Sequence, residues 1–253
     1  MTHLTELVAE LNALLEPQRF NDYCPNGLQV EGKSEVRFII SGVTASQALI
    51  DQAIIKKADA ILVHHGYFWK NENPCVTGMK KTRLQKLLAH DISLIAYHLP
   101  LDVHPELGNN VQLGIRLGIK TEKVLDPVNP KRVIGLIGTL AEPISGDAFS
   151  SRIQQVLGRA PFYIPGKRQE IKTIAWCTGA GQSFIEQAVA QQVDAYLTGE
   201  VSEPTVHVAQ ETGLHFFAAG HHVTERYGVC AVGDYLAKKF NIRHEFVDIY
   251  NPI

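Results

Sequence analysis

Along this chain, short runs of apolar and β-branched residues alternate with stretches whose apolar positions recur at helical spacing. Phe38-Ile39-Ile40, Ala60-Ile61-Leu62-Val63 and Ser93-Leu94-Ile95-Ala96 read as buried strands. Between them, Gln47–Lys57 and Lys80–His90 carry apolar residues on one helical face. The opening stretch, Met1 to Leu15, has the same period and reads as an amphipathic helix. Strands alternating with helices predict an α/β protein built on a largely parallel sheet.

The pattern also repeats. Residues 45–62 align without gaps on residues 180–197, a shift of 135. Identities fall at Ala45/Ala180, Gln47/Gln182, Ile50/Ile185, Gln52/Gln187, Ala53/Ala188, Asp59/Asp194, Ala60/Ala195 and Leu62/Leu197. Each copy follows a predicted strand, 37–43 and 172–178, so the repeated unit is strand–helix–strand. Each is followed by a further helix and strand, at 92–97 and 214–219. Two amphipathic helices can resemble each other by chance, but the match runs on into the next strand. The expected architecture is two similar three-layer α/β/α lobes related by this repeat, residues 1–125 and 126–253. Residues 127–168 read as a bridging segment, with a strand over Val133–Ile137 and a helix from Ser145.

Composition narrows the function classes. With 24 basic and 26 acidic residues the net charge is −2, which gives no footprint for duplex nucleic acid. The cysteines, Cys24, Cys75, Cys177 and Cys230, lie far apart with no CxxC spacing and read as reduced thiols. The N-terminus lacks the basic and apolar regions of a signal peptide, and no apolar run spans a bilayer. A cytoplasmic protein without a membrane partner is expected.

Three clusters at strand ends carry chemistry. His64 and His65 follow the strand Ala60–Val63, and in parallel sheets ligands gather at the carboxyl ends of strands. Adjacent imidazoles on an extended chain point to different sides, which suits two nearby metals better than one. Gly66 lets the chain turn away. His98-Leu-Pro-Leu-Asp102-Val-His104 follows the next strand. There Asp102 reads equally as a metal ligand and as the N-cap of a helix near Glu106–Leu117. In Gly220-His221-His222-Val-Thr-Glu225, His221 and Glu225 stand at i and i+4 on one helical face. Taken alone they are equally a surface pair. The shared pattern His-x-x-x-acid, at matching strand ends of the two repeats, favours one composite site where the lobes meet. Its candidate ligands are His64, His65, Asp102, His221 and Glu225.

Three imidazoles and two carboxylates with no thiolate suit two divalent ions, zinc, manganese, iron, cobalt or nickel. Two such ions are the usual equipment for hydrolysis of a small molecule. His98 is the candidate acid or base, and His104 and His222 are rim residues. Cys177-Thr-Gly179-Ala-Gly181 reads as a tight strand-to-helix turn or, less specifically, a phosphate loop. Tyr67, beside Phe68 and Trp69, is a candidate to stack on substrate, and Glu200 a candidate to line the cleft.

Pro25-Asn-Gly-Leu-Gln-Val30, Gly42-Val-Thr-Ala-Ser46, Val63-His-His-Gly-Tyr-Phe-Trp69, His98-Leu-Pro-Leu-Asp102 and Gly220-His-His-Val-Thr-Glu225 together resemble the Nif-three-like family. That family also bears the name GTP cyclohydrolase I type 2. The resemblance covers essentially the whole chain and implies metal ligands at the same five positions. It implies two α/β/α lobes, a homohexameric ring with metal sites facing an inner cavity, and hydrolytic opening of the guanine imidazole ring of GTP. The chain resembles the short bacterial form, without a long central insertion. A guanine nucleotide, intact or damaged, is the expected substrate. The alternatives are a metal-dependent phosphoesterase and a non-catalytic ring-shaped metal-binding or adaptor protein.

Overall fold

A computed structural model describes residues 1–126 and 134–253. The predicted strand over Val133–Ile137 therefore begins outside the described residues. In chain order, the first part holds β1 (Thr2–His3), α1 (Leu4–Leu15), β2 (Gly27–Val30), β3 (Glu35–Val36), β4 (Phe38–Thr44), α2 (Gln47–Lys56), β5 (Ala60–His65), α3 (Gly78–Ala89), β6 (Ser93–Ala96) and α4 (Leu99–Val103). The middle holds α5 (Asn109–Leu117), β7 (Ile119–Val124), β8 (Leu136–Ser145), α6 (Gly146–Leu157), β9 (Phe162–Ile164), β10 (Glu170–Trp176), α7 (Ile185–Ala190), β11 (Ala195–Thr198), α8 (Glu203–Thr212), β12 (His215–Ala218) and α9 (His221–Thr224). The chain ends with α10 (Arg226–Phe240) and β13 (Arg243–Phe246).

The chain forms two compact units. One comprises Met1–His104 with Gly228–Tyr250, the other Pro105–Tyr227 with Asn251–Ile253. The sequence division at residue 125 groups α5 and β7 with the N-terminal half. In the fold β7 pairs with β8, and α5 buries Leu113 and Leu117 in the same core as Ile119 and Leu140.

The first unit is a sheet in the order β13-β4-β5-β6-β2, parallel except for β2. Strands β4, β5 and β6 bury almost every side chain, as a sheet covered on both faces requires. Leu4, Leu7, Leu11 and Leu15 form the buried stripe of α1. Ser46 caps α2 by accepting from Leu49 N–H, and Lys57 ends it in the left-handed region. On the outer edge, His244 of β13 bridges Ser41 Oγ at 2.7 Å and Asp234 of α10 at 2.8 Å.

The second unit is a six-stranded sheet, β7-β8-β10-β11-β12-β9. Its centre, β10-β11-β12, is parallel, and antiparallel strands flank it. The stretch read as a bridge supplies β8, α6 and β9, with Ser145 capping α6 through Ala148 N–H. The buried Trp176 indole donates to the Asn110 carbonyl, and its ring leaves space only for glycine at Gly114.

The repeat survives in atomic detail. Ile39 pairs with Ala60, and Ile174 with Ala195, the same register at a shift of 135. In the first unit Asp59 Oδ2 accepts from Arg37 N at 2.9 Å and Phe38 N at 3.1 Å. In the second, Asp194 Oδ2 accepts from Lys172 N at 2.9 Å and Thr173 N at 2.7 Å. Each aspartate N–H also donates to the carbonyl of the opposite strand, Phe38 or Thr173. The following strands, however, match at a shift of 122, since Ala60 pairs with Ser93 and Ala195 with His215. His98 thus aligns with Gly220, and His221 with Leu99, so the two His-x-x-x-acid segments are offset by one residue.

Asp194 is 5% exposed and also pairs with Arg168 and Thr173 Oγ1. Asp194→Ala strands several buried donors and is expected to cost about 2–4 kcal/mol in chemical denaturation. The more exposed Asp59 is expected to cost about half as much in the same experiment. Burial opposes the Asp194 charge, but the N–H donors of Thr173 and Lys172 outweigh it and hold the carboxyl below its ordinary 3.8. A depressed folded value means stability that is complete above the unfolded value and lost as pH falls through the folded one. The stability gap between wild type and Asp194→Asn is therefore expected to be full at neutral pH and to narrow below 3.8, as measured by urea titrations across acid pH.

Candidate metal centre

Each unit brings part of the expected ligand set to the carboxyl ends of its parallel strands. In the first unit, His64 is fully buried, and its Nδ1 lies 3.0 Å from the Tyr97 carbonyl. A carbonyl only accepts, so Nδ1 carries a proton and Nε2 is the nitrogen turned to Asp102. That nitrogen lies 3.4 Å from Asp102 Oδ1. His65, one residue on, has Nδ1 3.1 Å from Thr44 Oγ1. Because β4 and β5 pair Thr44 with His65, the sheet register itself places this hydroxyl.

Asp102 lies inside α4 and is 5% exposed. Gly108, not Asp102, is the N-cap residue of α5, so the capping alternative does not hold. The carboxylate points instead toward His64.

His98 joins the pair: His64, His65 and His98 each offer a ring nitrogen within 4.8 Å of the others. The residue that holds His98 was not found from sequence. Asp22 Oδ1 lies 2.7 Å from His98 Nδ1, while Asp22 Oδ2 accepts from Leu99 N at 2.9 Å and Asn26 Nδ2 at 2.9 Å. Asn26 Oδ1 in turn accepts from His98 N at 2.7 Å. Burial opposes the Asp22 charge, yet His98 and the N–H donors hold its carboxyl below the ordinary range. The sequence signal was faint: Asp22 and Asn26 at i and i+4, just before and within the Pro25–Val30 motif.

Trp69 stands edge-on to His98, with ring centroids 5.0 Å apart, and lies 6.0 Å from His65. It is this aromatic that flanks the imidazoles. Tyr67 is buried in the core, its hydroxyl donating to the Ala45 carbonyl at 2.7 Å and burial pushing that hydroxyl up to about 12. Cys24 is buried too, and burial together with the Asp22 charge raises its thiol to about 12, which makes it a poor nucleophile.

In the second unit, Gly220 at φ +109° turns the chain from β12 into α9. His221 and Glu225 then share one face, Nε2 to Oε2 3.1 Å. Glu200, after β11, lies 2.6 Å from His221 Nδ1. A carboxylate on the far nitrogen orients an imidazole for a cation at the near one. Burial disfavours the charged ring, but Glu225 and Glu200 outweigh it and carry His221 up to about 9. The cluster thus holds positive charge between its carboxylates, the electrostatics a divalent cation also satisfies.

The Cys177–Gly181 segment is the floor beneath this pair. Gly179 sits at φ +64°, and a Cβ there would collide with the Glu225 carboxylate. Thr178 N donates to Asn110 Oδ1, Gly179 N to Thr224 Oγ1 and Gly181 N to Thr198 Oγ1. These amides serve the fold, so the segment is a tight turn and not a phosphate loop. His222 is buried beside His221, and His104 is half-buried at the end of α4.

No helix among the described residues is long and apolar enough to cross a membrane. Among the described residues, none of the four cysteines is joined in a disulfide. Comparison with known proteins agrees with the motifs. The chain is 59% identical over 249 residues to a GTP cyclohydrolase 1 type 2 homolog of Pseudomonas aeruginosa, and 55% identical to one of Pasteurella multocida, each match covering 98% of both chains. A solved structure described as protein ybgI, of unknown function, superposes with a TM-score of 0.95 at 49% identity over the full length of both chains. A structure from Thermus thermophilus does so with 0.87 at 32% identity, again over both full lengths. The model of the Duf34/NIF3 (NGG1p interacting factor 3) family matches residues 2–252, and the chain belongs to that family.

Proposed function

We propose that the protein is a cytoplasmic, dinuclear-metal-dependent hydrolase acting on a guanine nucleotide, intact or damaged, or a similar small molecule. One observation carries this reading. Each unit ends a parallel strand region with an imidazole whose Nδ1 is held by an acceptor and whose Nε2 faces a carboxylate: His64 with Tyr97 O and Asp102, His221 with Glu200 and Glu225. Held Nδ1, presented Nε2 and an adjacent oxygen donor are what a divalent ion requires.

His64, His65, Asp102, His221 and Glu225 are the proposed ligands of two ions per chain, in a homohexameric ring. When bound, such ions supply Lewis-acid polarisation and water activation. The remaining work falls to the chain. Glu200 holds His221, Thr44 holds His65, and Trp69 limits the space over the imidazoles. His98, with Nδ1 fixed by Asp22, is the group to move a proton at Nε2. Names carried by relatives, GTP cyclohydrolase 1 type 2 homolog, support guanine nucleotides as the first substrates to test.

The purified protein is expected to hold two metal ions per chain by elemental analysis, and His64→Ala and His221→Ala to hold about one each. Wild-type stoichiometry below one, or variants that keep both ions, would overturn the ligand set. Formate release from GTP is expected to vanish in Asp102→Ala. Turnover of phosphodiesters in place of GTP would redirect the reading to a phosphoesterase. His98→Ala is expected to retain both ions while losing about 100-fold or more in turnover. Full activity in that variant would remove His98 from the chemistry.

A further inference from the structure

We propose that Asp22 is a positioning residue that fixes the tautomer of His98, holding the proton on Nδ1 and leaving the lone pair on Nε2. This rests on the proposed role of His98 only for its effect on turnover; the tautomer itself follows from hydrogen-bond bookkeeping.

The Asp22 carboxylate is enclosed, its side chain 3% exposed, and each oxygen is committed to two partners. Oδ1 accepts from Tyr23 N at 2.6 Å and meets His98 Nδ1 at 2.7 Å. Oδ2 accepts from Asn26 Nδ2 and Leu99 N, both at 2.9 Å. A carboxylate only accepts, so His98 Nδ1 bears a proton. Asn26 cannot reverse its amide, because its Oδ1 accepts from His98 N. Three of the four groups around Asp22 are therefore obligate donors, two backbone N–H groups and one fixed amide. The imidazole alone is able to switch from donor to acceptor.

That asymmetry predicts the effect of a single-atom change. In Asp22→Asn, the side-chain oxygen belongs at the Oδ2 position, where two obligate donors meet it. The amide nitrogen then falls at the Oδ1 position, where it donates to His98 Nδ1 and leaves one donor, Tyr23 N, without its acceptor in place of two. Nδ1 then has to accept, so the tautomer changes: the proton sits on Nε2 and the lone pair there is lost. Exchanging a histidine-orienting aspartate for asparagine has this consequence in serine proteases, at little cost to geometry. Asn26→Ala serves as the contrasting variant. It removes the clamp on His98 N but leaves Asp22 Oδ1 facing Nδ1.

The test is 15N NMR of histidine-labelled, zinc-loaded full-length protein above the ordinary imidazole range, with the His98 signals identified by their loss in His98→Gln. Wild type and Asn26→Ala are expected to show the Nδ1–H form, and Asp22→Asn the Nε2–H form. An unchanged tautomer in Asp22→Asn overturns the proposal, as does Nε2–H in the wild type. Turnover adds a second arm. Asp22→Asn is expected to lower kcat about 100-fold with KM little changed. An equal kcat loss in Asn26→Ala, with its tautomer intact, would reduce Asp22 to a loop anchor and overturn the positioning role. Absent turnover in every form would defeat the hydrolase reading, while the NMR result would still decide the tautomer.

Discussion

The aspartate that precedes the second strand of each repeat, half-buried at Asp59 and buried at Asp194, sets everything placed beyond it. Asp59 and Asp194 each accept from two consecutive N–H groups of the neighbouring strand and donate back to it. A one-residue slip between those strands would leave the charge without its donors, and at the buried Asp194 an unsatisfied charge costs several kcal/mol. Register is thus fixed at the amino end of the strand, while its consequence appears at the carboxyl end. Six residues beyond Asp59, Thr44 comes opposite His65. A functional site needs side chains placed to fractions of an ångström, and the placing of His65 begins with an acid at the other end of its strand.

Hydrogen-bond partners also distinguish the histidine-rich arrangements from one another. His64 and His221 meet an acceptor at one nitrogen and a carboxylate at the other. Ser41, His244 and Asp234 have the connectivity of a hydrolytic triad, yet Ser41 has no exposed surface and Asp234 faces solvent, the reverse of what nucleophilic catalysis needs. There the histidine ties an edge strand to a helix. Constellations of residue types identify chemistry only together with access.

Much of this was legible in the sequence, for physical reasons. The strands β4, β5 and β6 are buried on both faces and so appear as continuous apolar runs, and the repeated helix keeps its apolar spacing. Strand ends followed by His64-His65, His98 and His221 were therefore locatable without coordinates. What escaped depends on partners remote in sequence. Asp22 reaches His98 across 76 residues from a loop with no periodicity. The edge strand β13 joins β4 only after the chain has built the other unit. Tyr67 and Trp69 lie two residues apart in one turn, and no local pattern says which faces the core. The clamp of Gln29 on both polar groups of the Tyr67 backbone settles that.

The one-residue offset after β6 and β12 carries a consequence of its own. Where His98 follows β6, the equivalent place after β12 is Gly220, whose positive φ a histidine would rarely adopt. The repeated framework is therefore symmetric while its donors are not. The first unit sets three imidazoles beside two aspartates, and the second sets one imidazole, His221, between two glutamates. By the preference of harder ions for oxygen and borderline ions for nitrogen, these are unlike surroundings drawn from one folding pattern. One strand-and-helix pattern thus carries two unlike donor sets, and neither unit's set can stand in for the other's.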